Sequence, residues 1–442
     1  MIHIVDALSQ SKDKKRLRGR CGWFLIIFIV VAGVSLGYWR GAAYATKLSD
    51  YQPLYYHKVT LRAVAGEDAT YGKTKQLGFL AGDVRSENGS RLTGKILLSG
   101  FGVNAVFQAD EVTASGKLYP GSGAYQARIS FAAISVTAHH PTIIADWRRK
   151  FVAGMQSVLP EPLAPFAMGL LVGQRATLPE GVKQDLLMVG LTHIIAVSGY
   201  NLTIILHASR RLLGKLSKRL ATGMSLGLIV VFLAIAGASA SIVRAAIVSV
   251  LSIWAAYYGR PIKPLNLLAL TAVITGWANP NYLWGDLSWY LSFLAFFGVM
   301  ILAPLIQGRW PGEWHKSLLG GVALESVCAE AMSLPFVLHI FGQMSLIGLP
   351  ANVLVVTLVP LAMLLSLVAG LGGMLCGSVG GWLAWPAAQL LNYMLDIAHI
   401  MAHIPGVFIQ NRSLSLAGML GLYGLILLLT TALWGDYTLR AS

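Results

Sequence analysis

The sequence predicts a mainly α-helical polytopic membrane protein of about ten transmembrane helices, carrying one small extracytoplasmic all-β domain of the OB type. Three observations predict it. Hydrophobic residues make up 55% of the 442 and charged residues only 12%, about half the ~25% of an ordinary soluble domain. Apolar runs long enough to span a bilayer recur along the chain. One stretch, residues 41 to about 145, breaks that pattern. A soluble multidomain enzyme, a disulfide scaffold and a disordered chain are excluded. Cys21, Cys328 and Cys376 form no CxxC pair, which argues against a thiolate zinc site. The 47 glycines suit close packing of membrane helices.

The chain opens on KDKKRLRGR at 12–20, with six basic residues and one acid, followed by the apolar run Gly22–Trp39. Such a pattern also suits a signal peptide, with Ala43-Tyr44-Ala45 as a cleavage site. The run is long, however, and Trp23 and Trp39 sit at its ends like interface anchors. An uncleaved first helix is expected, so residues 1–40 comprise a basic cytoplasmic N-terminus and that helix.

Residues 41–149 are expected outside the membrane. Short bursts such as VTLRAV, KQLGFLAG, LTGKILLSG, EVTASGKL and YQARISFAAISVTA are rich in β-branched and aromatic residues and are punctuated by Gly, Asn, Asp and Ser. They read as about five strands with tight turns, enough for a small closed barrel. A plain β-sandwich is the competing reading. Between Arg40 and Lys183 there are 16 Lys/Arg against 10 Asp/Glu, a mild basic surplus.

Residues 150–442 form the membrane domain. Spans are expected at about 186–207, 223–238, 241–259, 265–279, 288–307, 318–341, 350–375, 381–404 and 414–434, with 163–174 re-entrant or interfacial. Basic residues cluster in every second loop: Arg210, Arg211, Lys215, Lys218 and Arg219, then Arg260 and Lys263, then Arg309 and Lys316. The positive-inside rule places those loops, and both termini, in the cytoplasm. The expected location is the cell inner (plasma) membrane, multi-pass.

Residues 66–74, GEDATYGKT, resemble a phosphate-binding loop, but Gly66 and Gly72 are separated by five residues where the loop needs four. Asn392, Asp396, His399 and His403 fall on one helical face. That pattern could hold a metal, but the expectation is a polar stripe; no cofactor and no metal are expected. Arg244, Glu325 and Glu330 are charges inside spans, where they are costly and commonly functional. The two glutamates point about 140° apart on a helix, so one of them is a candidate partner for Arg244. His193, Ser198, Gly199, Tyr200 and Asn201 interrupt an apolar span, and Ser198-Gly199 predicts a broken helix lining a cavity. A Ser/His hydrolase does not follow, because His193 and Ser198 face apart and no positioned acid is evident.

The run FAMGLLVGQRATLPEGVKQDLLMVGLTHIIAVSGYNLTII resembles the signature of the ComEC family of competence proteins. ASASIVRAAIVSVLSIWAAYYGRPIKPLNLLAL resembles the family's S-x-x-R-A block and Pro-Leu-Asn loop, WANPNYLWGDLSWYLSFLAFFGV its N-P block, and LPFVLHIFGQMSLIGLPANVLVVTLVP, with Asn352, its final block. Tyr200-Asn201 stands where many members have Leu-His. The metallo-β-lactamase-like domain of larger members has no counterpart in this sequence, so a nuclease activity is not implied. The resemblance implies a channel that passes single-stranded DNA into the cytoplasm during natural transformation. The candidate path residues are then His193, Ser198, Gly199, Tyr200, Asn201, Arg244, Glu325, Glu330 and Asn352. It also implies a DNA-capture protein outside, a separate ATP-driven motor inside, and possible self-association. No enzymatic activity is expected. Phe101, Phe107, Tyr119 and Tyr125 could stack bases, but a small barrel needs such rings inside, and a core role is expected. A secondary transporter or flippase for a small or lipid-linked solute fits the broken helix and buried charges equally well, and a non-conducting scaffold is a third reading.

The charge pattern gives a first test. A cysteine at Gly89 should react with an impermeant maleimide in whole cells, and one at Lys215 only after the membrane is opened. The reverse result would invert the topology.

Overall fold

The computed structural model describes residues 33–441, except 47, 67–68, 72–75, 104–105, 107–108, 122–124, 139–142, 174–177, 196–201, 203–205, 207–216, 237–239, 261–262, 281 and 310–317. A helix, α1, covers 33–46. A β domain follows, and the rest is mostly helical.

Five long strands carry the β domain: β1 Lys58–Ala65, β3 Leu77–Ser86, β5 Ile96–Phe101, β6 Glu111–Pro120 and β7 Ala127–Ala138. Two short strands, β2 Thr70–Tyr71 and β4 Arg91–Leu92, pair with β3. The order β1-β6-β7-β5-β3 returns to β1 through a β1–β3 pairing, so the sheet closes on itself. Only β5 and β7 run parallel. Closure follows from the period-2 pattern. Leu61, Phe79, Leu98, Ala114 and Ile129 face inward, fully buried, in paired registers such as Leu61↔Ala114 and Leu98↔Ile129. Phe131, at φ 58, marks the bulge that shifts the β5–β7 register. Opposite it, a Cβ on Gly100 would strike the Ala132 carbonyl, so the crossing needs glycine.

The barrel is tied to α1 by one buried side chain. Gln126 donates from Nε2 to the Tyr44 hydroxyl at 2.8 Å, while its Oε1 accepts from the Lys95 amide. Tyr55 donates to the Gln126 carbonyl at 3.2 Å. Tyr51, fully buried beneath the barrel, has its hydroxyl pKa pushed far above the ordinary value by desolvation.

The helices that follow are α2 Ile143–Val158, α3 Leu163–Val172, α4 Glu180–Met188, α5 Thr192–Ile195, α6 Lys218–Ala236, α7 Ala240–Tyr257 and α8 Pro264–Ala278. Then come α9 Leu287–Gln307, α10 Leu318–Phe341, α11 Gly348–Cys376, α12 Gly381–Ala402 and α13 Leu416–Ala441. Among the described residues, α9, α10 from Gly320, and α11 are long and apolar enough to cross a membrane. Ser241–Tyr257, Pro264–Ala278 and Leu416–Ala432 are shorter apolar helices. Ten spans are therefore more than these helices show. The expected span at 22–39 falls mostly outside the described residues. The one expected at 186–207 is not continuous: α4 stops at Met188, Gly190 turns at φ 79, and α5 restarts at Thr192. The 163–174 segment is α3, only ten residues long and buried from Leu163 to Leu171.

One helical core gathers α2–α5 against α11 and α12, through Met155, Phe166, Leu186, Val355, Ala362 and Met394. Smaller clusters join α6 to α7 and α9 to α10 and α13. Outward from α11 point Leu361, Leu364, Leu371 and Leu375, all exposed. A continuous apolar flank of this kind suits lipid. Close backbone approach holds α2 on α11. A Cβ on Gly373 would strike the Gly154 carbonyl, and one on Gly370 would meet the Phe151 ring. Small residues allow such contact where solvent supplies no hydrophobic drive.

Gly373→Val should therefore cost about 1–3 kcal/mol through overpacking and lower the melting temperature of the purified protein in detergent. Gly421→Ala, where the added carbon meets nothing within 4 Å, should leave it unchanged.

Candidate functional site

Two polar clusters interrupt the apolar helices, and a third lies on the barrel surface. The first centres on Arg244 of α7, which is 1% exposed. Its Nη2 donates to the Ser288 carbonyl at 2.7 Å and to Ser288 Oγ at 3.2 Å. Asp286 caps α9: its Oδ1 accepts from the Ser288 amide at 2.9 Å and the Trp289 amide at 3.2 Å. Asp286 is buried, and its charge and the Tyr282 hydroxyl act on Arg244. Arg244 Nε and Nη1 and Asp286 Oδ2 are buried with no hydrogen-bond partner among the described residues. Trp289 Nε1, donating to Thr275 Oγ1 at 3.0 Å, braces α9 on α8.

This corrects one expectation. No hydrogen bond or ion pair joins Arg244 to Glu325 or Glu330 among the described residues; the acid whose charge acts on it is Asp286, without a direct bond between the two. The chain folds that way because Asp286 precedes the apolar run LSWYLSFLAFF and must turn its carboxylate back onto the free amides of α9. An Asp just before an apolar run was the available signal.

The same end of the bundle meets α1. Arg40 donates to the Trp277 carbonyl at 3.2 Å and sits 5.9 Å from the Trp277 ring centroid. Tyr44, bound by Gln126 of the barrel, lies within electrostatic reach of Arg40 and Tyr282. A chain of polar side chains thus leads from the barrel to the buried arginine.

The second cluster lies at the α4–α5 break. A Cβ on Gly348 would come to 3.2 Å from Glu330 Oε1 and 3.6 Å from the Val189 carbonyl, and one on Gly190 to 3.3 Å from Ser345 Cβ. Glu330, Ser345 and the break are therefore neighbours, with Asn352 one turn beyond Gly348. Glu330 Oε2, Ser345 Oγ and Asn352 Oδ1 are buried and unpartnered among the described residues. Buried polar groups of this kind are rare in native interiors, and three gather here. His193 joins through Nδ1, 3.1 Å from the Gly190 carbonyl. It is exposed to solvent. Ser198, Gly199, Tyr200 and Asn201 lie outside the described residues. Glu325 enters neither cluster; its charge instead reaches Cys328 on the same helix.

On the barrel, the expectation of core aromatics is overturned. Phe101 is 43% exposed and stacks at 6.5 Å on Phe131, itself 75% exposed. Tyr119 is half-buried at the surface, with Lys117 Nζ 5.8 Å and Arg128 Cζ 5.9 Å from its ring centroid, and Tyr56 packs edge-on at 6.0 Å. Tyr125 is also half-buried, and Phe107 lies outside the described residues. Small residues fill the barrel instead, including Ala63, Ala81 and Ala114. Lys58 faces Lys117 across β1 and β6, and Arg128 faces Tyr119 across β7 and β6, so the basic and aromatic groups form one patch.

Comparison with known proteins agrees with the sequence resemblance. A family model described as competence protein matches residues 170–436, which contain both membrane clusters. ComE operon protein 3 of Bacillus subtilis (strain 168) is 24% identical over 229 residues, 51% of this chain and 29% of that protein. The chain thus matches less than a third of that relative's length. No solved structure matches.

Asp286→Asn keeps a carbonyl-type acceptor for the cap and removes only the charge. It should lower the melting temperature of the detergent-purified protein, because it removes the buried negative charge whose field acts on Arg244. Adding Arg244→Gln should recover part of that loss in the thermal melt. Adding Glu330→Gln instead should recover none, and a recovery there would return the arginine to a glutamate partner.

Proposed function

Taking as premise that this chain belongs to the competence-protein (ComEC) family, we propose that it acts in DNA uptake as an inner-membrane conduit for single-stranded DNA. The observation that carries the reading is the family match, which spans both membrane clusters. Its physical support is the series of basic and unpartnered polar groups from the barrel inward. In this reading the protein is a passage and not an enzyme.

The closed five-strand sheet, ordered 1-2-3-5-4 when only long strands are counted, is read as an OB-type barrel. Lys58, Lys117 and Arg128 attract phosphate, and Tyr56, Tyr119, Phe101 and Phe131 offer faces for bases. Basic grooves with stacking rings bind single strands without regard to sequence. Arg244, with two donors uncommitted, is suited to phosphate oxygens. Glu330, Ser345, Asn352 and His193 line the narrower segment beyond it.

Four contacts fit the expected alternation of loops. Arg40 meets Trp277, Asp185 meets His399, and Met344 pairs with Ile409, all between ends assigned outside. Arg309 donates to the Ala432 carbonyl between ends assigned inside. One contact adds to it. The second half of α2 packs on Gly370–Met374, toward the inner end of α11. An outside barrel then requires α2 to descend into the bilayer and α3 to return, as a re-entrant hairpin. Trp147 and Arg149, both exposed on α2, would sit at the interface.

Labelled transforming DNA should remain outside cells lacking the gene, while solute and lipid-linked substrate transport continue. Lys117→Gln with Arg128→Gln should weaken binding of an oligothymidylate by the full-length protein and reduce the salt slope by about 1–2. Normal DNA entry in the deletion strain, with loss of a solute flux, would replace the conduit with a transporter for which Glu330 and Asn352 form the binding site.

A further inference from the structure

We propose that His399, His403 and Asp185 form a site for a divalent transition-metal ion of the zinc class, one that clips α4 to the end of α12. His399 is in the last turn of α12, and His403 caps it one turn later at φ −88, ψ 0. The two rings lie 4.2 Å apart between centroids. Asp185 arrives from α4, 214 residues away in sequence, and places Oδ2 2.7 Å from His399 Nδ1. One donor atom from each of the three residues lies within 4.8 Å of those of the other two.

The hydrogen bonds decide which nitrogens remain free. His403 Nδ1 lies 2.8 Å from the His399 carbonyl. A carbonyl only accepts, and so does an ionised carboxylate. In the neutral rings, the forms that bind metal, both Nδ1 atoms therefore carry the proton and both Nε2 atoms keep their lone pairs. That is the arrangement of metal-binding histidines, whose second nitrogen is held by a carboxylate or carbonyl that fixes the tautomer and raises basicity. Two neutral imidazoles one helical turn apart suit zinc, nickel or cobalt, with water completing the shell. Asp185 orients His399. Asn392 and Asp396, on the same exposed face, have no described part in the site.

A bare surface ion pair is the competing account. It would contribute little, and a histidine at a helix C-terminus can bond one of the last carbonyls without any ion. What the ion adds is a use for the two Nε2 lone pairs that one helical turn places on the same face. Its structural effect is local: α4 ends at the Gly190 break beside Glu330 and Asn352, and a bound ion would pin that end to α12. The inference stands on these three residues and does not depend on the conduit reading.

The test is titration of the intact, detergent-purified protein with Co²⁺ alone, then Zn²⁺ alone. Saturable visible d–d absorption without a sulfur-to-metal band, displaced by Zn²⁺, and a Zn²⁺-dependent rise in melting temperature are expected. His403→Gln should abolish both, and Asp185→Asn should weaken binding at least ~10-fold, as loss of a supporting carboxylate does. If His403→Gln does not fold, the wild-type spectrum and Asp185→Asn still decide. No saturable binding, a sulfur-to-cobalt band, or affinity unchanged in Asp185→Asn would overturn the proposal.

Discussion

A polar group inside an apolar bundle has to be given a partner, and among the described residues between α7 and α11 buried polar atoms of Arg244, Asp286, Glu330 and Asn352 set that demand. Burying a guanidinium alone costs several kcal/mol. Among the described residues Arg244, 1% exposed, bonds to Ser288 and feels the charge of Asp286 and the Tyr282 hydroxyl. Much of the local architecture follows from that need. Asp286 must be buried to balance the charge, so α9 must begin there. Trp289 then points at Thr275, and α7, α8 and α9 share one end. The remaining donors of Arg244 face no acceptor among the described residues.

The Glu330 cluster obeys the same constraint by different means. Its polar atoms gather where backbone continuity fails, at the Gly190 turn and the Gly348 helix start. Broken helices at membrane depth are tolerated where they line a cavity or are buried in protein. Glycine makes the meeting possible, since side chains at Gly190 or Gly348 would fill the space that Ser345 and Glu330 use. Gly154 and Gly373 do the equivalent for the core, bringing α2 onto α11 at backbone distance.

The barrel is coupled to this machinery and does not merely hang from it. Gln126 binds Tyr44 of α1 and the turn before β5 at once, while Arg40 one turn earlier grips the end of α8. The basic and aromatic patch on β1, β6 and β7 thus belongs to a unit whose support reaches the buried arginine. Closure also frees the aromatics for that surface. Small and aliphatic residues, with Phe79, take the inward positions, and Phe101 and Tyr119 fall on the outward positions of their strands.

Composition and periodicity alone determined the membrane class, the presence of a β domain after the first apolar run, the positions of most helices and the polar residues worth inspecting; the strands occupy Lys58–Ala138, inside the 41–149 expected, because α1 runs on to residue 46 and α2 begins at Ile143. These are legible because hydropathy and period-2 or period-3.6 patterns are local properties of the chain. The family was legible as well, because its blocks are contiguous. Pairing was not. Arg244 meets Ser288, beside Asp286, and His399 meets Asp185 across 214 residues, because side chains 40 or 200 positions apart are joined only by helix packing. The aromatics of the barrel misled for a related reason: alternation shows that a strand has two faces, but closure and register decide which face is inside. The 186–207 segment reads as one hydrophobic run, yet Gly190 breaks it, since the fold needs the backbone to turn where Ser345, Gly348 and Glu330 converge. Only the tertiary structure could supply that reason.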